Sequence, residues 1–270
     1  MYYINLSFLH QDIKITIMAK GEITNKKGLS SFWLRIIAIL AMIWSFAATS
    51  DNLGLKNSAL SDCMMWFSYT IFAFLLAEGI NHTTNSILYV RRFALFTVIS
   101  EFAYDYYTFG TPFNMEKQSI MLTLFICLLI MLLCDYLKRR FRNIVVNMIA
   151  IVLTSIIAIN ITNLVHSEFG KYGVLIAMLF YSTYDLSYPK FFEIATMVLY
   201  SFYAKIDTII SVTVNGLQYT VPITVFAILG LLVTWFYNEK RGPNKLWIKI
   251  VFYFVYPLVL TGFALLKFFY

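Results

Sequence analysis

Charge is what this chain has least of. Only 13% of its 270 residues are charged, where an ordinary soluble domain carries about a quarter. Acidic groups are scarcer than basic ones, 14 Asp and Glu against 21 Lys and Arg, with 3 His. So little polar surface cannot cover a globule of this size in water, which argues against a soluble domain. Cysteine is nearly absent as well. The 3 cysteines, Cys63, Cys127 and Cys134, lie at or within apolar stretches without metal-type spacing. That excludes a disulfide framework or a zinc motif and leaves them as small packing residues. There is no Gly-rich phosphate loop, internal repeat or low-complexity linker. Residues 1–17 lack the basic start, compact apolar stretch and small-residue cleavage site of a secretory signal.

What is present is apolar. Hydrophobic residues make up 60% of the chain, and the mean hydropathy is +0.73. About nine stretches (8–10) approach the 20 or so residues a helix needs to cross a bilayer. They cover 32–49, 63–80, 88–109, 118–137, 143–164, 172–184, 191–205, 217–237 and 246–269. The sixth and seventh are short and are expected to tilt, re-enter or thin the bilayer. Pro222 falls in the first turns of the eighth stretch, and Pro257 lies inside the ninth and is expected to kink it. The reading is an all-α fold, a polytopic transmembrane helix bundle. Residues 1–30 form a cytoplasmic N-terminal segment, with Met18 as an alternative start, and residues 31–270 form a single membrane domain.

Net charge is +7, which in a soluble protein would suggest nucleic acid. Its distribution suggests otherwise. With the N-terminus inside and nine alternating spans, most Lys and Arg fall on the cytoplasmic side, as the positive-inside rule requires. The expected partner is therefore a lipid bilayer and not nucleic acid.

Ionisable groups at membrane depth are costly, and so they are the functional candidates. Glu78 lies near the cytoplasmic end of the second span and His82 follows at i+4, on the same face of a continued helix. Arg91 and Arg92 open the third span on that side. Together they suit a cytoplasmic anion such as the phosphates of a nucleotide-like cofactor. Alternatively the arginines anchor a helix end and Glu78 pairs with one of them. Glu101 and Asp105, also i, i+4, share a face deeper in the third span. They suit proton handling or general acid–base work, or else a structural pair satisfied by Tyr, Ser or Lys. Glu193 reads as structural, and Asp135 and Asp185 as interfacial.

Those residues sit in phrases with a family resemblance. LRIIAILAMIW, IFAFLLAEGINHT, RRFALFTVISEFAYDYYTFGTPF and KQSIMLTLFICLLIMLL, followed by FGKYGVLIAMLFY, YNEKRGPNK and FYFVYPLVL, resemble the TraX family in the same order. The EGxxHT phrase joined to SExxxD and GTPF is the most specific part. The resemblance implies a multi-pass protein of the bacterial cell membrane, of the type that acetylates conjugative pilin. It also implies acetyl-CoA or a related acyl donor as cofactor. Three features depart from it. Ser45 and Phe46 replace an Asp-His pair, Lys117-Gln118-Ser119 stands for a His-Gln-Asn element, and Val259 replaces the His of Tyr-Pro-x-His.

Three functions remain open on this reading. The first is a divergent acyltransferase with a donor at His82, Arg91 and Arg92. Glu78, Glu101 and Asp105 would be its catalytic carboxylates, and a peptide, lipid or polysaccharide would be its acceptor. The second is a non-catalytic TraX-like binding, assembly or immunity component. The third is a small proton-coupled transporter. No metal site is expected.

Overall fold

The computed structural model describes residues 28–49, 58–83, 85–141, 143–184, 186, 188–203, 209–214, 217–222, 225–243 and 246–269. Residues 1–27, including Met18, lie outside the described residues, as does Asp185. Among the described residues the chain forms nine helices and one hairpin. The helices are α1 (Ser31–Thr49), α2 (Ser58–Asn81), α3 (Ser86–Phe109), α4 (Ile120–Arg140), α5 (Ile144–Leu164), α6 (Gly170–Thr183) and α7 (Pro189–Tyr203). Strands β1 (Ile209–Val214) and β2 (Leu217–Pro222) come next, then α8 (Val225–Thr234) and α9 (Leu246–Phe269).

Local chemistry sets several of these boundaries. The Asn85 side chain accepts from the Leu88 amide at the start of α3, and Gly110, at φ 71°, ends that helix in the left-handed region that glycine adopts without penalty. Asn143 caps α5 in the same way by accepting from Val145 N.

Contacts between termini sort the helices into two ends. At the first end, Leu29 N donates to the Phe236 carbonyl and Arg241 to the His82 carbonyl. Tyr181 donates to Asp135, and Thr183 and Trp235 both donate to Glu193. This end gathers the starts of α1, α3, α5, α7 and α9 and the ends of α2, α4, α6 and α8. At the second end, Thr49 meets Tyr107 and Lys117 pairs with Glu168 at 3.1 Å. The order agrees with alternating passage through the bundle.

Five helices are long and apolar enough to cross a membrane: α1, α2 from Ala59, α4, α5, and α9 over Ile250–Lys267. Helix α3 matches them in length, but Arg91, Arg92, Glu101 and Asp105 lie along it. Helices α6 and α7 have 14 and 15 residues, short for a perpendicular crossing, as their sequence suggests. Helix α2 is the hub and packs against α1, α4, α6 and α8. Its Tyr69 is fully buried and stacks on Phe169 with ring centroids 4.2 Å apart. Helix α5 lies at the periphery with Met148, Val152 and Ile156 all at least half exposed. Such a continuous apolar face suits lipid and not water.

The eighth span is the principal correction. In place of one helix over 217–237, the chain makes an antiparallel hairpin, Ile209 paired with Pro222 through Val214 with Leu217, followed by a helix of 10 residues. Pro222 therefore closes a strand instead of opening a helix. The physical reason is visible in IISVTV and LQYTVP. β-Branched residues recur at strand spacing on both sides of Asn215-Gly216, the dipeptide most favourable to a tight hairpin turn. Hydropathy alone does not separate that pattern from a helical one. Around Pro257 the helix is continuous, with α9 running from Leu246 to Phe269.

Candidate functional site

A cavity of about 400 Å³ opens among the helix ends of the first end, a size usual for small-molecule and cofactor sites. Its walls come from α1 (Ser31, Arg35, Ile39, Met42), the end of α2 (Leu75, Leu76, Glu78, Gly79) and the start of α3 (Leu88, Tyr89, Arg92, Phe93). His82, Arg241 and Pro243 line it from connecting segments, Phe252, Tyr253 and Tyr256 from α9, and Ile120, Met121 and Leu124 from α4. From Ser31 to Met42 the cavity follows α1 for about 16 Å. Arginines mark its outer reach, and apolar and aromatic side chains its depth.

Glu78 is the polar hub. It is 6% exposed and lies 2.7 Å from His82 Nε2, an i, i+4 contact that survives although α2 ends at Asn81. The Tyr237 hydroxyl donates to Glu78 Oε1 at 2.8 Å, and Tyr184 is a further donor. Ser31 Oγ donates in turn to the Tyr237 hydroxyl at 3.2 Å. Burial raises the Tyr237 phenol far above its usual value, so it remains protonated and able to donate. Glu78 therefore pairs with His82, and not with either arginine opening α3. The His82 carbonyl accepts from Arg241 at 2.6 Å, which fixes the connection after α2 to the segment before α9.

Cationic groups at the cavity outnumber anionic ones. Arg35 lies 5.5 Å over the Phe252 ring, and neither Arg35 nor Arg92 has a carboxylate partner among the described residues. Unpaired guanidinium groups at the rim of a partly apolar cavity attract a phosphate or carboxylate with an apolar extension.

Of the candidates read from the sequence, Glu78, His82 and Arg92 meet at this cavity. Arg91 is exposed and does not line it. Glu101 and Asp105 lie beyond its deep end, and they do not pair with each other. Glu101 accepts from Ser119 Oγ at 2.6 Å and from Ser119 N at 3.1 Å. Asp105, 2% exposed, accepts from Asn114 N at 2.9 Å through Oδ2. Both carboxylates brace the connection from α3 to α4. Most of that connection is exposed, but its last residue, Ser119, just before α4, is fully buried. Glu193 is held by Thr183 and Trp235, and Asp135 by Tyr181.

Arg35, Arg241, Tyr237 and Tyr256 were not singled out by sequence reasoning. Arg35 is a cation inside an apolar helix, a signal read only as part of the charge bias. Arg241 sits within the YNEKRGPNK phrase, and Tyr256 precedes the proline of α9. Nothing local marks any of them as facing a cavity.

The positions that depart from the resemblance are filled by packing. Ser45 is bonded to the Ser61 carbonyl at 2.9 Å and to its hydroxyl at 3.0 Å. The Phe46 ring packs on Tyr107, Tyr256 and Phe263, at 5.4, 6.3 and 6.3 Å. Lys117 is held by Glu168, and Val259 packs against the core. Among the described residues no three His, Cys, Asp or Glu side chains gather as a metal site.

Compared with known proteins, residues 30–267 match the family model described as TraX protein. No curated protein and no solved structure matches the chain.

Proposed function

Because the chain belongs to the TraX family, we propose that it is a membrane acyltransferase. It would take an acetyl group from a cytoplasmic donor, acetyl-CoA or a related thioester, and pass it to an extracytoplasmic acceptor. The observation that carries this reading is the cavity in which Arg35, Arg92, Arg241 and His82 surround the entrance to a deeper apolar region. A phosphorylated donor matches it in both halves, since guanidinium groups hold phosphate oxygens bidentately and the apolar depth accepts the acyl end.

The orientation follows from charge. Arg35, Arg92, Lys138, Arg140, Lys190 and Arg241 crowd the first end, whereas Lys117, Lys171 and Lys267 mark the second. Under the positive-inside rule the cavity then faces the cytoplasm of a bacterial cell membrane. On this reading Glu78 holds His82 in place at the cavity wall, and Tyr237 and Ser31 hold Glu78. Glu101 and Asp105 maintain the depth of α4.

The test is mass spectrometry of envelope peptides, lipids and polysaccharides from cells with and without the protein. An acetyl increment on one acceptor class is expected with the wild-type chain, and it should be lost with Arg92→Ala. Identical acceptor masses in both strains would overturn the assignment. One observation favours a second reading, that of a non-catalytic binding or assembly component. Phe46 and its aromatic neighbours pack between the deep end of the cavity and the second end, where an acceptor from outside has to arrive. Unaltered acceptors, together with a partner captured by crosslinking, would support that alternative.

A further inference from the structure

The closed end of the cavity holds unused hydrogen-bond donors. Tyr256 lines it at 4% exposure, and its hydroxyl has no hydrogen-bond partner. The Ile120 amide faces the Tyr256 oxygen without closing a bond. Ile120 and Met121, the first two residues of α4, line the same end and are 3% and 9% exposed.

Helix geometry leaves the first amides of α4 without intrahelical acceptors. A side-chain cap ordinarily satisfies one of them. Here Ser119 sits at the cap position in an extended conformation but makes no such bond. Its hydroxyl is spent on Glu101, and so is its own amide. The amides of Leu122 and Thr123 reach back to the Ser119 carbonyl. That of Met121 has no acceptor among the described residues, and that of Ile120 reaches only towards the Tyr256 oxygen. Buried donors are nearly always paired, so two amides and a phenol left open at one closed end call for an oxygen from elsewhere. The positive end of the helix dipole favours an oxygen that carries negative charge.

We infer that the Tyr256 hydroxyl and the Ile120 and Met121 amides form an oxyanion site for the carbonyl oxygen of a thioester whose phosphorylated end lies at the arginines. This rests on the acyl-transfer reading above and identifies where the reacting carbonyl is held. An acceptor amine attacks the carbonyl carbon, a C–N bond forms and the C–S bond breaks. The proton lost by the amine ends on the departing thiolate, so an amide and a thiol are produced. Negative charge that develops on the carbonyl oxygen meets donors already in place, and such stabilisation needs no reorganisation. Glu101, by occupying Ser119, leaves only the next two amides open.

The test uses the full chain in nanodiscs and two ligands, acetyl-CoA and S-ethyl-CoA, which lacks the carbonyl oxygen. Wild-type protein should bind acetyl-CoA about fivefold more tightly, the worth of one net hydrogen bond. Tyr256→Phe, which keeps the ring packed on Phe46, should reduce that preference, with the two amides remaining. It should also lower turnover about 100-fold, the usual cost of losing one such donor, with the Michaelis constant for acetyl-CoA raised by no more than about fivefold. Equal binding of the two ligands by the wild-type protein, or a preference that Tyr256→Phe leaves undiminished, overturns the oxyanion site. A carbonyl preference in a wild-type protein that transfers no acetyl group supports the site and removes the acyltransferase assignment. If neither ligand binds, both fall.

Discussion

At the scale of single residues, the decisive feature is which buried polar groups are paired and which are left open. Glu78 is satisfied by His82, Tyr237 and Tyr184, so its burial is offset by its partners. Arg35 and Arg92 have no such carboxylate. Removing the side chain of Arg35 is therefore expected to cost a ligand contact more than a structural one. Arg35→Ala should weaken binding of acetyl-CoA by about 10-fold or more, the value of a charge-assisted hydrogen bond. The loss should shrink as salt is raised, whereas the thermal midpoint should stay near that of the wild type. Isothermal titration at two ionic strengths checks the binding, and a thermal unfolding scan checks the midpoint. Glu78, His82 and Arg92 were legible in the sequence because ionisable groups stand out against apolar spans. Arg35 and Tyr256 were not. One counts only towards the charge bias and the other is one of 19 tyrosines.

At the scale of elements, most helices announce themselves, because long apolar runs bounded by Asn, Gly or basic residues have few alternatives. The stretch before α8 did not. Its β-branched residues favour the strands 209–214 and 217–222, the second of which a hydropathy window merges with the following helix. Helix α8 approaches α2 closely at Gly230. A Cβ built on Gly230 would lie 2.7 Å from the Phe67 carbonyl oxygen and 2.9 Å from Thr70 Cβ, whereas one on Gly262 meets nothing within 4 Å. Gly230→Leu is accordingly expected to destabilise the protein by about 1–3 kcal/mol, the range for overpacked sites. Gly262→Ala, in the middle of α9, should be neutral or slightly stabilising, given the helix propensities. Thermal unfolding in detergent, followed by tryptophan fluorescence, separates the two.

At the scale of the whole molecule, charge and depth are organised along one axis. Basic residues gather at the end where the cavity opens, and Glu101 and Asp105 hold the segment leading into the buried start of α4 nearer the other. The bilayer orientation that follows can be measured directly. A single cysteine at Lys240 should react with an impermeant maleimide only after the cells are opened. One at Lys171 should react in intact cells. The opposite pattern would place the cavity outside and remove its access to cytoplasmic donors.

The sequence by itself determined that the chain belongs in a membrane and where most of its helices lie. Both properties are sums over local composition: too little charge to face water, and enough consecutive apolar residues to span lipid. Its phrases also carried the TraX resemblance. Only the tertiary structure decided which polar groups meet. Arg35, Arg92 and Arg241 come from α1, α3 and the segment before α9, and no pattern along the chain encodes that they share one cavity. The same holds for Glu101, whose partner is the buried start of another helix. A carboxylate at that depth needs donors, and packing alone settles which residues supply them.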